Sequence, residues 1–299
     1  MFAIIGAVVV VVAICGGYLL EHGKLTVLVQ PAELLIIGGA ALGTVLIANP
    51  LPVIKKLIHG ILRILKPSRY DKPFYLAALK MLNEIFVYAR KNGMVKLETD
   101  IEEPKKSALF KKYPTFLKDE QAVDFVCDSL RMSISGGVGH FELDQMMEID
   151  MEVHHAETHE PVAALTMTAD SLPGLGIVAA VLGVVITMGA LGGPTEQIGE
   201  KVAAALVGTF LGILLCYGFV GPVASHLTKL NDEDAQYYHF LRIALISYIR
   251  GSAPILAVEF ARRAIPLEER PSFKEMETAC RGRSASAGAE AGSAQAAAA

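Results

Sequence analysis

The chain has 299 residues, a formal net charge of −4, 53% apolar residues and only 19% charged ones, with a mean hydropathy of +0.43. Soluble domains carry about a quarter charged residues, which excludes an ordinary globular enzyme and a chain disordered over most of its length. The slightly acidic balance leaves no general basic footprint for nucleic acid.

The apolar residues gather in four runs: Phe2–Leu20, Ala32–Ala48, Leu172–Leu191 and Val202–Val223. At about 1.5 Å per residue each reaches the roughly 26–30 Å of a bilayer core. Backbone groups in lipid need partners within their own segment, so all four are predicted helices. The first is not read as a secretory signal, since only Met1 precedes it and bulky Ile14 before Cys15 argues against lipoprotein processing. It is a retained span.

Between runs two and three lies Pro50–Asp170, about 120 residues, enough for a domain. Pro73 suits a helix start, and Tyr75, Leu79, Leu82, Ile85, Phe86 and Ala89 share one face, with Gly93 as C-cap. A second helix starts at the N-cap Asp119, carries Phe125, Val126, Leu130 and Ile134, and stops at Gly136-Gly137. A third runs from Phe141 towards Asp170, with Pro161 expected to kink or break it. After run four, Ala224–Arg250 is again helical, with Leu227, Leu230, Phe240, Ile243 and Leu245 between charges. The tail from Gly282 is rich in Ala, Gly and Ser and lacks an apolar face, so it reads as disordered.

The prediction is an all-α integral membrane protein. Residues 1–49 hold spans one and two, 50–170 a helical cytoplasmic domain and 171–223 spans three and four. Residues 224–281 form a cytoplasmic C-terminal helical region, followed by the 282–299 tail. Lys55, Lys56, Arg63, Lys66, Arg69 and Lys72 make the Pro50–Asp170 segment the positive, cytoplasmic side, and four spans then put both termini there. The four cysteines have no paired spacing, so neither a disulfide framework nor a metal site is expected, and no cofactor is implied.

None of the four runs holds an ionisable residue at its centre; Glu33, Asp170 and Lys201 are read as edge residues. A proton machine places an acid inside the membrane, so this chain is either a scaffold or half of a machine whose acid comes from another chain. Gly39 and Gly43, Gly208 and Gly212, and Gly176, Ala180 and Gly183 permit close helix packing, within the chain or between copies. Pro173 opens run three. Pro222 closes run four ahead of a further helical stretch, which predicts a kink or interruption. Thr44, Thr187 and Thr209 are the polar groups facing the interior, and a membrane threonine commonly bonds back to its own carbonyls.

The run Asp170-Ser171-Leu172-Pro173-Gly174-Leu175-Gly176-Ile177-Val178-Ala179-Ala180-Val181-Leu182-Gly183 resembles the third helix of the MotA family of flagellar motor stator subunits. Gly208-Thr209-Phe210-Leu211-Gly212 and Tyr217-Gly218-Phe219-Val220-Gly221-Pro222 are similar to its fourth. Tyr88 to Glu98 resembles its charged torque-generating stretch. The likeness runs from Phe2 to about Cys280. It implies a ring of five such chains around two MotB-like chains, which supply a membrane aspartate and a peptidoglycan-binding domain. Ion flux through the inner membrane would drive ring rotation against the rotor protein FliG. By the resemblance, Pro173 and Pro222 couple protonation to movement, Thr209 lines the ion path, and Arg90 and Glu98 face the rotor. Sodium-driven relatives carry a threonine where Ala180 stands; a methyl group cannot ligate sodium, so protons are the expected ion.

Three other readings exist. The related ExbB and TolQ energising subunits have three spans. A membrane enzyme would draw on His154, His155 and His159 as metal ligands, although no zincin motif accompanies them. A structural scaffold would conduct no ions.

Overall fold

The structure, a computed structural model, describes residues 2–189, 192 and 194–281. The tail beyond Arg281 and Leu191, the expected end of the third run, lie outside the described residues. Helices in chain order are α1 (Phe2–Leu20), α2 (Leu25–Leu28), α3 (Pro31–Ala48), α4 (Leu51–Ile64), α5 (Lys72–Asn92), α6 (Met94–Glu102) and α7 (Pro114–Leu117). There follow α8 (Glu120–Ile134), α9 (His140–Met188), α10 (Thr195–Leu214), α11 (Gly221–Ile249), α12 (Pro254–Ala264) and α13 (Phe273–Arg281). No strand occurs among the described residues. Four segments are long and apolar enough to cross a membrane: Phe2–Leu20, Leu25–Ala48, His140–Met188 and Ile198–Ile249. The all-α fold with four membrane helices, and a large helical segment between the second and third, is as expected.

The chain divides into two compact units. The first comprises Met1–Pro67 and Ala156–Asn231, the second Ser68–His155 and Asp232–Ala299. In the first, α1 has no buried residue, as befits a helix whose surroundings are as apolar as itself. Leu57 packs with Leu165 and Ala224, and Ile64 with Val162, Leu227 and Leu230.

The second unit is built by local rules the sequence already displays. The Asp71 carboxylate caps α5 by accepting from the Phe74 N–H at 2.9 Å. Asp119 does the same for α8 through Ala122 at 3.3 Å. Gly93 ends α5 with φ 86, a conformation open to glycine but strained for other residues. The expected α5 face is buried throughout: Tyr75, Leu79, Leu82, Ile85, Phe86 and Ala89. It packs with Phe125, Val126 and Leu130 of α8, and with Phe240 and Leu245 of α11. Ser272 and Glu275 form a capping box at α13: the Ser272 N–H donates to Glu275 Oε2 at 2.7 Å, and the Glu275 N–H to Ser272 Oγ at 3.3 Å. The Tyr70 hydroxyl donates to Asp234 at 2.5 Å, and burial, with Asp234 adding to it, pushes the phenol pKa up.

At the two prolines expected to kink or interrupt a helix, the chain stays helical. Pro161 does not break the third helix: α9 runs through Pro161 and Pro173 without interruption. Pro222 does not separate one helix from the next either. A six-residue π-helical turn, Leu215–Val220, joins α10 to α11. In it the Gly221 N–H bonds to Cys216 O, five residues back. A wider turn re-satisfies the backbone where proline cannot donate, so the interruption becomes a bulge. A Cβ at residue 221 would lie 2.9 Å from that same carbonyl, so glycine is what the close turn accepts.

Candidate functional site

Of the expected site residues, Ala180 lies on α9 and Thr209 on α10, two helices that meet in close backbone contact. A Cβ added at Gly176 would come within 2.9 Å of Gly208 O and 3.0 Å of Gly212 Cα, and one at Gly212 within 2.6 Å of Leu172 O. One at Gly183 would meet Ala205 Cβ at 2.7 Å. Gly208 and Gly212 therefore serve packing inside the chain, backbone against backbone. On α3, by contrast, Gly39 and Gly43 have nothing within 4 Å. The α9–α10 crossing carries the Ala180 backbone next to Gly208, the neighbour of Thr209: the Cβ position at Gly208 lies 3.2 Å from Ala180 N.

The three membrane threonines differ. Thr44 donates to Ala41 O and Thr187 to Gly183 O, each at 2.8 Å, the back-bonding expected in a membrane helix. Thr209 is half-buried and makes no hydrogen bond among the described residues.

Glu33 keeps its place at a helix edge and is nevertheless enclosed. It lies in the first turn of α3 yet is only 6% exposed. Its Oε2 is buried with no hydrogen-bond partner, and it sits 2.6 Å from the Cβ position of Gly208. A Pro-Ala-Glu start was readable as an acid at a helix N-terminus. Its enclosure depends on a glycine in another helix and was not readable.

The two prolines are apart from this cluster in kind. Pro173 is half-buried one residue after Leu172, whose carbonyl abuts Gly212. Pro222 is exposed and lines a cavity with Ala3, Ala7 and Val10 of α1 and Tyr217 of the π turn. Arg90 and Glu98 belong to the second unit, on either side of the Gly93 break. Arg90 is exposed and lines a groove with Asn83, Ala253, Pro254 and Cys280. Neither enters a salt bridge among the described residues, so both charges are free for an outside partner. The histidines of the enzyme reading do not assemble into a centre. The His154 ring packs on Tyr238 with centroids 4.5 Å apart, and no metal-holding group of three or more His, Cys, Asp or Glu forms among the described residues. All four cysteines are free, and burial pushes the Cys127 thiol up to about 12 and Cys280 up to about 11, leaving both as thiols.

Residues 4–93 match the family model of the motility protein A N-terminal region, and residues 118–239 that of the MotA/TolQ/ExbB proton channel family. Motility protein A of Salmonella typhimurium is 42% identical over 277 residues, spanning 93% of this chain and 94% of that protein. The chain belongs to the motility protein A family. The Escherichia coli member is 40% identical over the same 93% of the chain. Chemotaxis protein LafT of Vibrio parahaemolyticus is 35% identical over 91%. The fold matches that of C. jejuni MotAB, with a TM-score of 0.73 at 20% identity over 90% of this chain and 98% of that one. It also matches the flagellar MotAB stator complex of Bacillus subtilis, with a TM-score of 0.70 at 24% identity, covering 90% and 97%. Four spans and the N-terminal match decide against an ExbB- or TolQ-like subunit.

Proposed function

We propose that this chain is the ring subunit of a proton-driven flagellar stator in the inner membrane. The observation that carries the reading is the glycine-packed crossing of α9 and α10, which sets Ala180 against Gly208, one residue before the unbonded Thr209. Five copies surround two MotB-like chains, whose membrane aspartate meets this crossing and whose periplasmic domain holds peptidoglycan. Thr209 borders the path with its hydroxyl. Ala180 offers a methyl group where a sodium site needs oxygen, which favours protons.

Pro173 sits inside α9 without breaking it, and Pro222 follows a π turn; both are sites where a membrane helix has fewer backbone bonds to hold its shape. They couple the partner's protonation state to movement. Residues 50–170 and 224–281 form the cytoplasmic region, where Arg90 and Glu98 present charge to the rotor protein FliG. The basic residues around α4 support this orientation, with both termini inside. Removing the gene should give flagellated cells that do not swim. Pro173→Ala should reach the membrane in normal amount and still fail to restore swimming; wild-type motility in that variant would defeat the coupling role.

A further inference from the structure

The first unit also holds a recess of about 560 Å³ between α1 and the segment that runs from the π turn into α11, a size typical of a ligand site. Small residues make the room: Gly6 and Ala7 on one wall, Gly218 on the other. A Cβ at Gly6 would meet nothing within 4 Å, whereas one at Gly218 would lie 3.3 Å from Val10 Cγ1. The walls thus touch at Val10, and the recess is a groove with a closed floor. Another helix needs about 8–10 Å between axes and finds no room between these walls. A single extended hydrocarbon chain is thin enough.

The groove changes character along its length. Beyond the π turn it is lined by Ser225, His226 and Lys229. They follow Pro222 by three, four and seven residues, which places all four on one face of α11. The opposite face carries Ala224 and Leu227, both buried. The side chains of Ser225, His226 and Lys229 make no hydrogen bond or ion pair among the described residues, and no acid is among the described residues lining the groove. Lys229 lies about 10 Å along the helix from Pro222, where the apolar run closes. A lysine there holds its charge among lipid headgroups while its stem follows the apolar wall. A lysine merely brushing passing lipids would account for Lys229 alone. It would not account for a groove that ends on three unpaired polar groups of one helix face.

We infer that this groove binds one anionic phospholipid, with an acyl chain between α1 and the π turn and the headgroup phosphate on Lys229, His226 and Ser225. The ammonium, the imidazole N–H and the hydroxyl donate; the phosphate oxygens accept. A zwitterionic lipid offers the same acyl chain but brings a cation of its own towards Lys229, so the anionic headgroup is preferred. The inference needs only the membrane spans and holds whichever ion or partner the chain serves.

The test is native mass spectrometry of the detergent-solubilised full chain given equal amounts of phosphatidylglycerol and phosphatidylcholine. The wild type should retain one phosphatidylglycerol per chain, about fivefold in preference to phosphatidylcholine, the effect of one lysine charge at an anionic surface. Lys229→Gln should bring the two lipids close to parity, and Lys229→Arg should keep the preference. Gly6→Leu, which grows into open space, should lower retention of both. Equal retention by the wild type, or an unchanged preference in Lys229→Gln, would overturn the inference. Displacement of the lipid by soluble glycerol phosphate would show a headgroup site without an acyl groove and overturn it too. A photoactivatable diazirine side chain at position 6 should label phospholipid, and decides the same point if Gly6→Leu does not fold. Label on a second copy of the chain would make the groove an interface between copies and overturn the lipid assignment.

Discussion

The two units of the chain use opposite means of packing. In the second, large side chains fill the interior: Tyr75, Phe86, Phe110, Tyr237 and Phe240 are all less than 2% exposed, and Phe86 stacks on Tyr248 with centroids 4.3 Å apart. In the first, contact comes from what is missing. Gly176, Gly208 and Gly212 let backbones meet, while Val8, Val9, Val12, Leu42 and Ile47 stay exposed. Water drives apolar groups together in one setting. In lipid that drive is absent, and close approach has to come from small residues.

The largest effect that tests this contrast is in the second unit. Phe86→Ala should lower its stability by about 3–5 kcal/mol, read from thermal or denaturant unfolding, because the cavity is lined by a packed core. An unchanged midpoint would erase the distinction. Next is Gly212→Ala. Its Cβ would meet Leu172 O and Gly176 Cα, both backbone atoms that cannot turn aside. Overpacking of this kind costs about 1–3 kcal/mol, and the upper end is expected here. Gly39→Ala, with open space around it, should leave the single chain's stability unchanged. Equal costs in the two variants, measured as melting of the detergent-solubilised chain, would show that the glycines act through flexibility instead of proximity.

The smallest effect is electrostatic. Glu275 is drawn down to about 2 by its hydrogen bond from Lys72, with Ser272 contributing. Its folded-state pKa lies below the unfolded value of 4.5. The stabilisation is therefore complete above that value and lost as pH falls from about 4.5 to 2. The second unit should lose more stability across that window than the Glu275→Gln variant does. Parallel curves would leave the α13 cap without a charge-dependent contribution.

Legibility in the sequence followed the range of each cause. The α5 face, the Asp119 cap and the Gly93 stop depend on residues within a few positions of one another, and were readable. The continuity of α9 through Pro161 depends on the rest of a 49-residue helix holding its course, which no local proline rule contains. The α9–α10 crossing was readable as small-residue spacing, but not as intra-chain contact, since the same spacing serves partners of either kind. Glu33 was hardest. Its position two residues after Pro31 marks a helix start, and only the vacancy at Gly208, far along the chain, turns that start into a buried site.

The π turn at Leu215–Val220 also sets a phase. An α-helix advances about 100° per residue, so the one extra residue held in the bulge offsets the faces before and after it by that angle. Gly208 and Gly212 point at α9, and beyond the turn Ala224, Leu227 and Leu230 still find Leu57, Ile64 and Val162. Asn231 still reaches Thr158 O at 2.6 Å. Deleting a single residue between 215 and 220 would return the segment to regular α-helix and rotate that whole row off its partners. The bulge is a register key: one surplus residue keeps two faces of a long helix aimed at their separate contacts.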